Sequence, residues 1–174
     1  MRHFDAASAE CLVFTYKEGL LSAIAHDLKI RVTRFSIEAD EDRRAIDARF
    51  DARSLRVVCA MQNSRESPET LSGAQKREIE AAIAQDVLDA RAYPEIRFSS
   101  TSVEEKEDQY LVKGTLALHG HTRALPVRVR RRGGFYAAEA RVHQPDFGIR
   151  PYRALLGTLK VQADVTVQVR LSAT

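Results

Sequence analysis

The chain has 174 residues, with 27 lysines and arginines against 24 aspartates and glutamates, so its net charge is only +3. That length fits one domain able to bury a core without disulfide or metal staples, and 44% hydrophobic with 29% charged residues excludes a disordered chain. A near-neutral balance with no clustering of basic and aromatic residues argues against nucleic-acid partners.

Only two cysteines are present, Cys11 and Cys59, and they form no CxxC pair. A disulfide framework is not expected, and two free thiols suit a reducing compartment. The first ten residues lack the apolar run of a secretory signal. No stretch approaches the roughly 20 apolar residues of a membrane helix. These features predict a cytoplasmic protein without stable membrane insertion, or a periplasmic one if a leader has been removed.

In chain order, Leu12, Phe14 and Tyr16 alternate with Val13 and Thr15. Leu28, Ile30 and Val32 follow with Lys29 and Arg31 between them, and then Phe35 and Ile37 sit on the opposite parity. The side-chain period of a strand is two, so this switch predicts a turn or bulge near Thr33–Arg34. Ile46, Ala48 and Phe50 form the next run, with Leu55 and Val57 again on the other parity. Ser72 and Gln75 have the spacing of a capping box, and Ile79, Ala82, Ile83 and Val87 continue at helical spacing. Tyr93-Pro94 ends this segment, because the residue before proline leaves the helical region. A helix of about four turns is therefore expected between strands.

Ile96 and Phe98 open the second series of strands. Tyr110, Val112, Gly114, Leu116 and Leu118 share one face, as do Leu125, Val127 and Val129, and then Tyr136, Ala138, Ala140 and Val142. From 159 to 171 every odd residue is apolar and every even one polar, which predicts one long strand with a buried and a wet face. The polar runs at 40–44 and 104–108 read as hairpin loops, and Gly133-Gly134 as a tight turn. Eight to ten strands joined by hairpins predict a mainly β domain over 1–174, an antiparallel sandwich or an up-and-down barrel. A barrel of about eight strands is either filled by side chains or able to hold a small ligand.

His119-Gly120-His121 is the one HxH, a pattern that can begin a metal site, although no third ligand follows at a useful spacing. His26-Asp27 lies ahead of a strand, after the apolar run at 19–25, where a neighbouring carboxylate can tune an imidazole. Arg128, Arg130, Arg131 and Arg132 read as the wet side of a strand entering a turn. No glycine-rich phosphate loop, GxSxG elbow or paired carboxylates are present, so neither a cofactor nor catalytic residues are expected.

Several segments resemble the YceI-like family in order and spacing across nearly the whole chain. Ser22-Ala23-Ile24-Ala25-His26-Asp27-Leu28 resembles its histidine-containing entry to an alternating strand. Asp89 to Ser100, with Tyr93-Pro94, is similar to its helix-to-strand junction. Gly114-Thr115-Leu116 through Gly120-His121-Thr122-Arg123 to Pro126-Val127 looks like its central hairpin, and Asp146-Phe147-Gly148-Ile149 like its late loop. The resemblance implies an antiparallel, eight-stranded lipocalin-like barrel with a flanking helix, which binds a polyisoprenoid or similar amphiphile in an apolar tunnel.

On that reading the ligand is a long-chain lipid or isoprenoid. Leu12, Phe14, Phe35, Phe98, Leu116 and Phe147 are expected to form the wall, with His26 and Arg97 at the mouth. A homodimer is compatible with the sequence. Two other readings remain: a metal-dependent enzyme using His119 and His121 with His26 or His143, and a filled barrel acting as an interaction module.

Overall fold

The computed structural model describes residues 1–19, 26–157 and 159–173. Among the described residues the chain is mainly β, with one α-helix and an antiparallel sheet. The strands are β1 (Arg2–Asp5), β2 (Ala9–Thr15), β3 (Asp27–Val32), β4 (Phe35–Asp40), β5 (Ala45–Asp51), β6 (Leu55–Gln62) and β7 (Arg65–Ser67), then β8 (Glu95–Lys106), β9 (Gln109–Leu118), β10 (His121–Arg132), β11 (Phe135–His143), β12 (Arg153–Ala154), β13 (Leu159–Lys160) and β14 (Asp164–Ser172). Helix α1 (Gly73–Ala82) lies between β7 and β8.

Twelve strands form one sheet in the order β1-β4-β5-β8-β9-β10-β11-β14-β2-β3-β6-β7, and β12 pairs only with β13. Where a closed eight-stranded barrel was expected, the pairing gives a twelve-stranded ladder that ends in β1 and β7. Corners account for the higher count. The chain breaks at 6–8, at 33–34 where the parity switch was expected, and at 52–54.

The predicted strand over 159–171 is also interrupted. Its start pairs with β12, while β14 begins only at Asp164. The intervening backbone is taken by other partners: Gln162 N donates to the Tyr16 carbonyl at 2.8 Å, and Gln144 N donates to the Ala163 carbonyl at 2.8 Å. A ladder partner on β14's neighbours cannot reach groups already bonded elsewhere.

Two corners lock to each other. Thr33 N donates to the Ser54 carbonyl at 2.9 Å and Asp51 N to the Arg34 carbonyl at 3.0 Å. The fully buried Ser54 hydroxyl accepts from Arg34 N at 3.1 Å and donates to the Asp51 carbonyl at 2.8 Å. Arg34 Nε donates to the Asp51 carboxylate at 2.9 Å. Partial desolvation pushes the Asp51 carboxyl up, but the Arg53 amide and the Arg34 guanidinium outweigh it, so the carboxyl titrates below its ordinary 3.8. A depressed folded-state pKa adds stability above the unfolded value, and that stability is lost as pH falls through the folded one. Wild-type protein should therefore be more stable than Asp51→Asn above about pH 4, with the difference shrinking in stronger acid. Denaturant melts across that range check this.

Helix α1 carries the expected capping box: Ser72 Oγ accepts from Gln75 N at 3.2 Å, and Gln75 Oε1 from Ser72 N at 2.9 Å. Its last expected turns are widened, with a π-helical segment over Ile83–Val87. The β3–β6 register shifts between Lys29 and Ile30, which leaves Val58 out of the pairing. The helix fills this gap. Glu80 accepts from Val57 N at 2.9 Å, and Lys76 donates to the Val58 carbonyl at 2.9 Å. Ile79 and Ile83 pack with Leu71 onto Ile30, Val57 and Ala60. The helix therefore covers the β3–β6 end of the sheet's inner face.

Candidate functional site

The sheet wraps an interior cavity of about 560 Å³, within the roughly 300–1,000 Å³ of small-molecule sites. Every strand of the large sheet except β7 contributes to its lining. An interior filled by side chains would leave no such space. Alternation along each strand decides which residues face in: Val127 and Val129 on β10, Ala138 and Ala140 on β11, Val165, Val167 and Val169 on β14. Small residues leave the room, and Ala48, Ala138 and Ala140 stand where larger side chains would fill it.

Apart from Glu139 on β11, the lining is apolar except at one end. There Arg2, Asp40, Glu41, Arg44, Glu105, Tyr110 and Tyr136 gather from the hairpin tips and the start of β1. The Tyr110 and Tyr136 rings meet edge to face at 6.0 Å. Arg44 pairs with Glu105 at 3.5 Å. Arg2 donates to the Ser172 carbonyl at 2.8 Å, which ties β1 to the end of β14. Burial and a hydrogen bond to Glu105 both push the Tyr110 hydroxyl above its ordinary 10. At the other end, Leu88, after the π segment, lines the cavity floor.

Of the eight expected ligand-contacting residues, Phe98 and Leu116 line this cavity. The other six do not. Leu12 and Phe14 point to the opposite side of β2, and their neighbours Cys11 and Val13 face the cavity instead. Phe35 packs its ring 5.9 Å from Phe50, which does line it. Arg97 is exposed on the outer face, 3.6 Å from Asp47. Phe147 is buried in the 3-10 turn over Gln144–Phe147, outside the cavity wall. His26 is half-buried at the start of β3, away from the charged mouth, and the apolar run that precedes it lies outside the described residues at 20–25.

Cys11 was not foreseen as a wall residue. Burial, helped by nearby Glu10, pushes its thiol up to about 12. An ordinary thiol near 9 has roughly a thousandfold more thiolate at the same pH, and the thiolate is the reactive form. Native Cys11 should thus alkylate with iodoacetamide at least about a thousandfold slower than in urea, as mass spectrometry of the labelled peptide can follow.

His119 and His121 meet in a packed cap over the β9–β10 turn rather than in a metal site. His119 Nδ1 lies 3.2 Å from the Phe147 carbonyl, and His121 Nδ1 lies 2.9 Å from the His119 carbonyl. The Tyr93 ring packs against His119 with centroids 4.8 Å apart and planes tilted by 54°. Among the described residues no group of three His, Cys, Asp or Glu gathers to hold a metal, and His143 is bonded to Asp164 at 2.7 Å. Gly148 ends the 3-10 turn with φ +68°, and a Cβ there would stand 2.6 Å from His121 Cε1. Gly148→Ala should therefore cost about 1–3 kcal/mol in urea unfolding, from left-handed strain and a displaced His121 ring.

A family model for the YceI-like domain matches residues 5–173. BcnA from Burkholderia cenocepacia has a similar structure, with a TM-score of 0.64 at 18% identity over 98% of this chain and 99% of that one. The YCEI protein of Campylobacter jejuni has a TM-score of 0.61 at 14% identity over 91% of each chain. A comparison with curated protein sequences returns no match. The match over nearly the whole length places the protein: the chain belongs to the family of YceI-like domains.

Proposed function

We propose that this protein binds or carries a long-chain apolar ligand, of polyisoprenoid or fatty-acyl type, inside its sheet. The observation that carries the reading is the distribution of polarity in the cavity. Valine, leucine, phenylalanine and alanine side chains line most of its length, and the charged and hydroxyl groups other than Glu139 gather at one end. That is the pattern an amphiphile needs: an apolar sleeve for the chain and a wet mouth for the head.

Burial is worth about 0.8 kcal/mol per methylene. Ten methylenes give a gross ~8 kcal/mol, against an association cost of about 4–15 kcal/mol. A long chain is needed for useful affinity, and a short one would not suffice. The reading has no catalytic step. Its wall is Phe98 and Leu116 with Cys11, Val13, Val167 and Ala138, and its mouth is Tyr110, Tyr136 and Arg44.

The same proposal treats the ladder as an eight-stranded barrel. β2 lies beside β3 as β1 lies beside β4, and β3 beside β6 as β4 beside β5. Joining β1 to β2, β3 to β4 and β5 to β6 across their corners, with β7 as an appendage, leaves eight strands that each have two neighbours.

Native mass spectrometry and solvent extraction of the purified protein test the function. A co-purified long-chain lipid, or one that binds on titration with a prenyl alcohol or a fatty acid, supports it. No lipid recovered and none bound would overturn it.

A further inference from the structure

The outer face of β10 carries Arg128, Arg130 and Arg132, which alternate with the inward Val127 and Val129. The register places Arg128 opposite Glu139, Arg130 opposite Ala137 and Arg132 opposite Phe135 on β11. On the far side of β11, Ala137 faces Arg170 of β14. The Arg170 guanidinium sits 4.0 Å from the centre of the Phe135 ring. Four arginines therefore surround Phe135 and Ala137 on one surface, and Phe135 is 40% exposed.

Among the described residues none of these four arginines has an ion-pair partner. Two carboxylates border the patch, Glu139 across from Arg128 and Glu10 across from Arg170. Glu139 accepts from Gln168 at 3.1 Å, Glu10 pairs with Arg31 at 2.9 Å, and Asp164 holds Arg141 and His143. On the β9 side, Arg128 and Arg130 face the uncharged Leu111 and Gln109. Arg130, between Ala137 and Gln109, and Arg132, opposite Phe135, thus face no carboxylate directly.

The patch abuts the cavity. At one hairpin Phe135 faces out and the next residue, Tyr136, faces in to line the mouth. A partner for this surface must be anionic, must accept an exposed aromatic ring, and must sit beside the entrance for an apolar chain. We propose that this face docks on an anionic lipid bilayer and holds the cavity mouth at the interface. Arginines gain from the negative surface potential, and Phe135 inserts among the headgroups. The neighbouring β8–β9 tip carries Glu105, Glu107 and Asp108. The protein therefore approaches on its β10–β14 side rather than with all hairpin tips down. No helix of the described residues is long and apolar enough to cross a membrane.

Flotation of the full chain with vesicles of phosphatidylcholine, alone or with phosphatidylglycerol, tests the docking. The expected result is flotation only with the anionic vesicles, lost at high salt. Each arginine in the surface field changes partition about fivefold, so Arg130→Glu with Arg132→Glu should lower it more than about a hundredfold. The same charge change at Arg49 and Arg77, two exposed arginines elsewhere, should leave most of it. Phe135→Ser should weaken flotation without changing circular dichroism. Absence of flotation, equal loss in the control double variant, or binding to heparin without binding to vesicles would each overturn the proposal. Titration of each variant with a prenyl alcohol in solution keeps the cavity's function separate, because the patch variants should bind it as wild type does.

Discussion

Ala138→Phe should weaken binding of a long prenyl alcohol by at least about tenfold, more than about 1.4 kcal/mol, while the protein stays folded. Ala138 faces the cavity in the middle of β11, between Val129 on β10 and Val169 on β14. A phenyl ring there enters the space that the ligand chain would occupy. A fully packed core would respond to such an insertion with strain of about 1–3 kcal/mol. Here the ring meets a void, so the cost in stability should fall below that range. Ala137→Phe is the control: its side chain points outward on the same strand, and binding should stay within a factor of about two. Fluorescence or calorimetric titration reads the first effect and thermal melting the second.

Gly114→Val should have the largest effect on stability, about 3 kcal/mol or more by urea unfolding. Gly114 is buried on the inner face of β9, opposite Leu125 on β10 and Ser100 on β8. The Phe98 ring lies directly over it. A Cβ at Gly114 would stand 2.4 Å from Phe98 Cζ and 2.6 Å from the Ser99 carbonyl oxygen. Rotation of Phe98 can relieve the first clash, but the second is with backbone. The β8–β9 register already shifts between Ser100 and Ser102, so this part of the ladder is held in one geometry. In a Phe98→Ala background, where the ring is already gone, Gly114→Ala should still cost most of what it costs alone, because the backbone clash remains. Full rescue would show that the ring, not the ladder, sets the requirement for glycine.

Local signals in the chain were readable where one face of a strand is apolar and the other polar. Strands β9, β10, β11 and the body of β14 have that contrast, and their inward residues are those that alternation predicts. The capping box at Ser72 and Gln75 is likewise local, and it starts the helix where expected. Strand β2 lacks the contrast. Leu12, Phe14 and Tyr16 on one face look as apolar as Cys11, Val13 and Thr15 on the other, so alternation alone cannot choose. Pairing chooses: Cys11 stands opposite Val169 and Val13 opposite Val167, and cross-strand partners share a face. Only the register between the two ends of the chain carries that information.

The mouth was hidden for a similar reason. Arg2, Arg44, Glu105 and Tyr136 come from four distant segments, and no spacing in the sequence relates them. His26 and Arg97 stood out because each sits beside a readable strand, yet neither lies among the charged groups that line the entrance. The break before β14 is equally nonlocal. Gln144 reaches across to donate to the Gln162 carbonyl at 3.0 Å, at the point where an alternating pattern runs on without a turn signal. The likeness to YceI-like domains was legible because its short motifs mark turns and junctions, such as Tyr93-Pro94 against Gly120, whose geometry is fixed within a few residues.

A crystal structure of the protein grown with a long-chain prenyl alcohol tests the central claim most directly. The account predicts continuous density for the chain inside the sheet, running from between Tyr110 and Tyr136 past Ala138 and Val167 to Phe98 and Leu116. An empty interior at saturating ligand, or a chain lying on the outer side against Leu12 and Phe14, would contradict it.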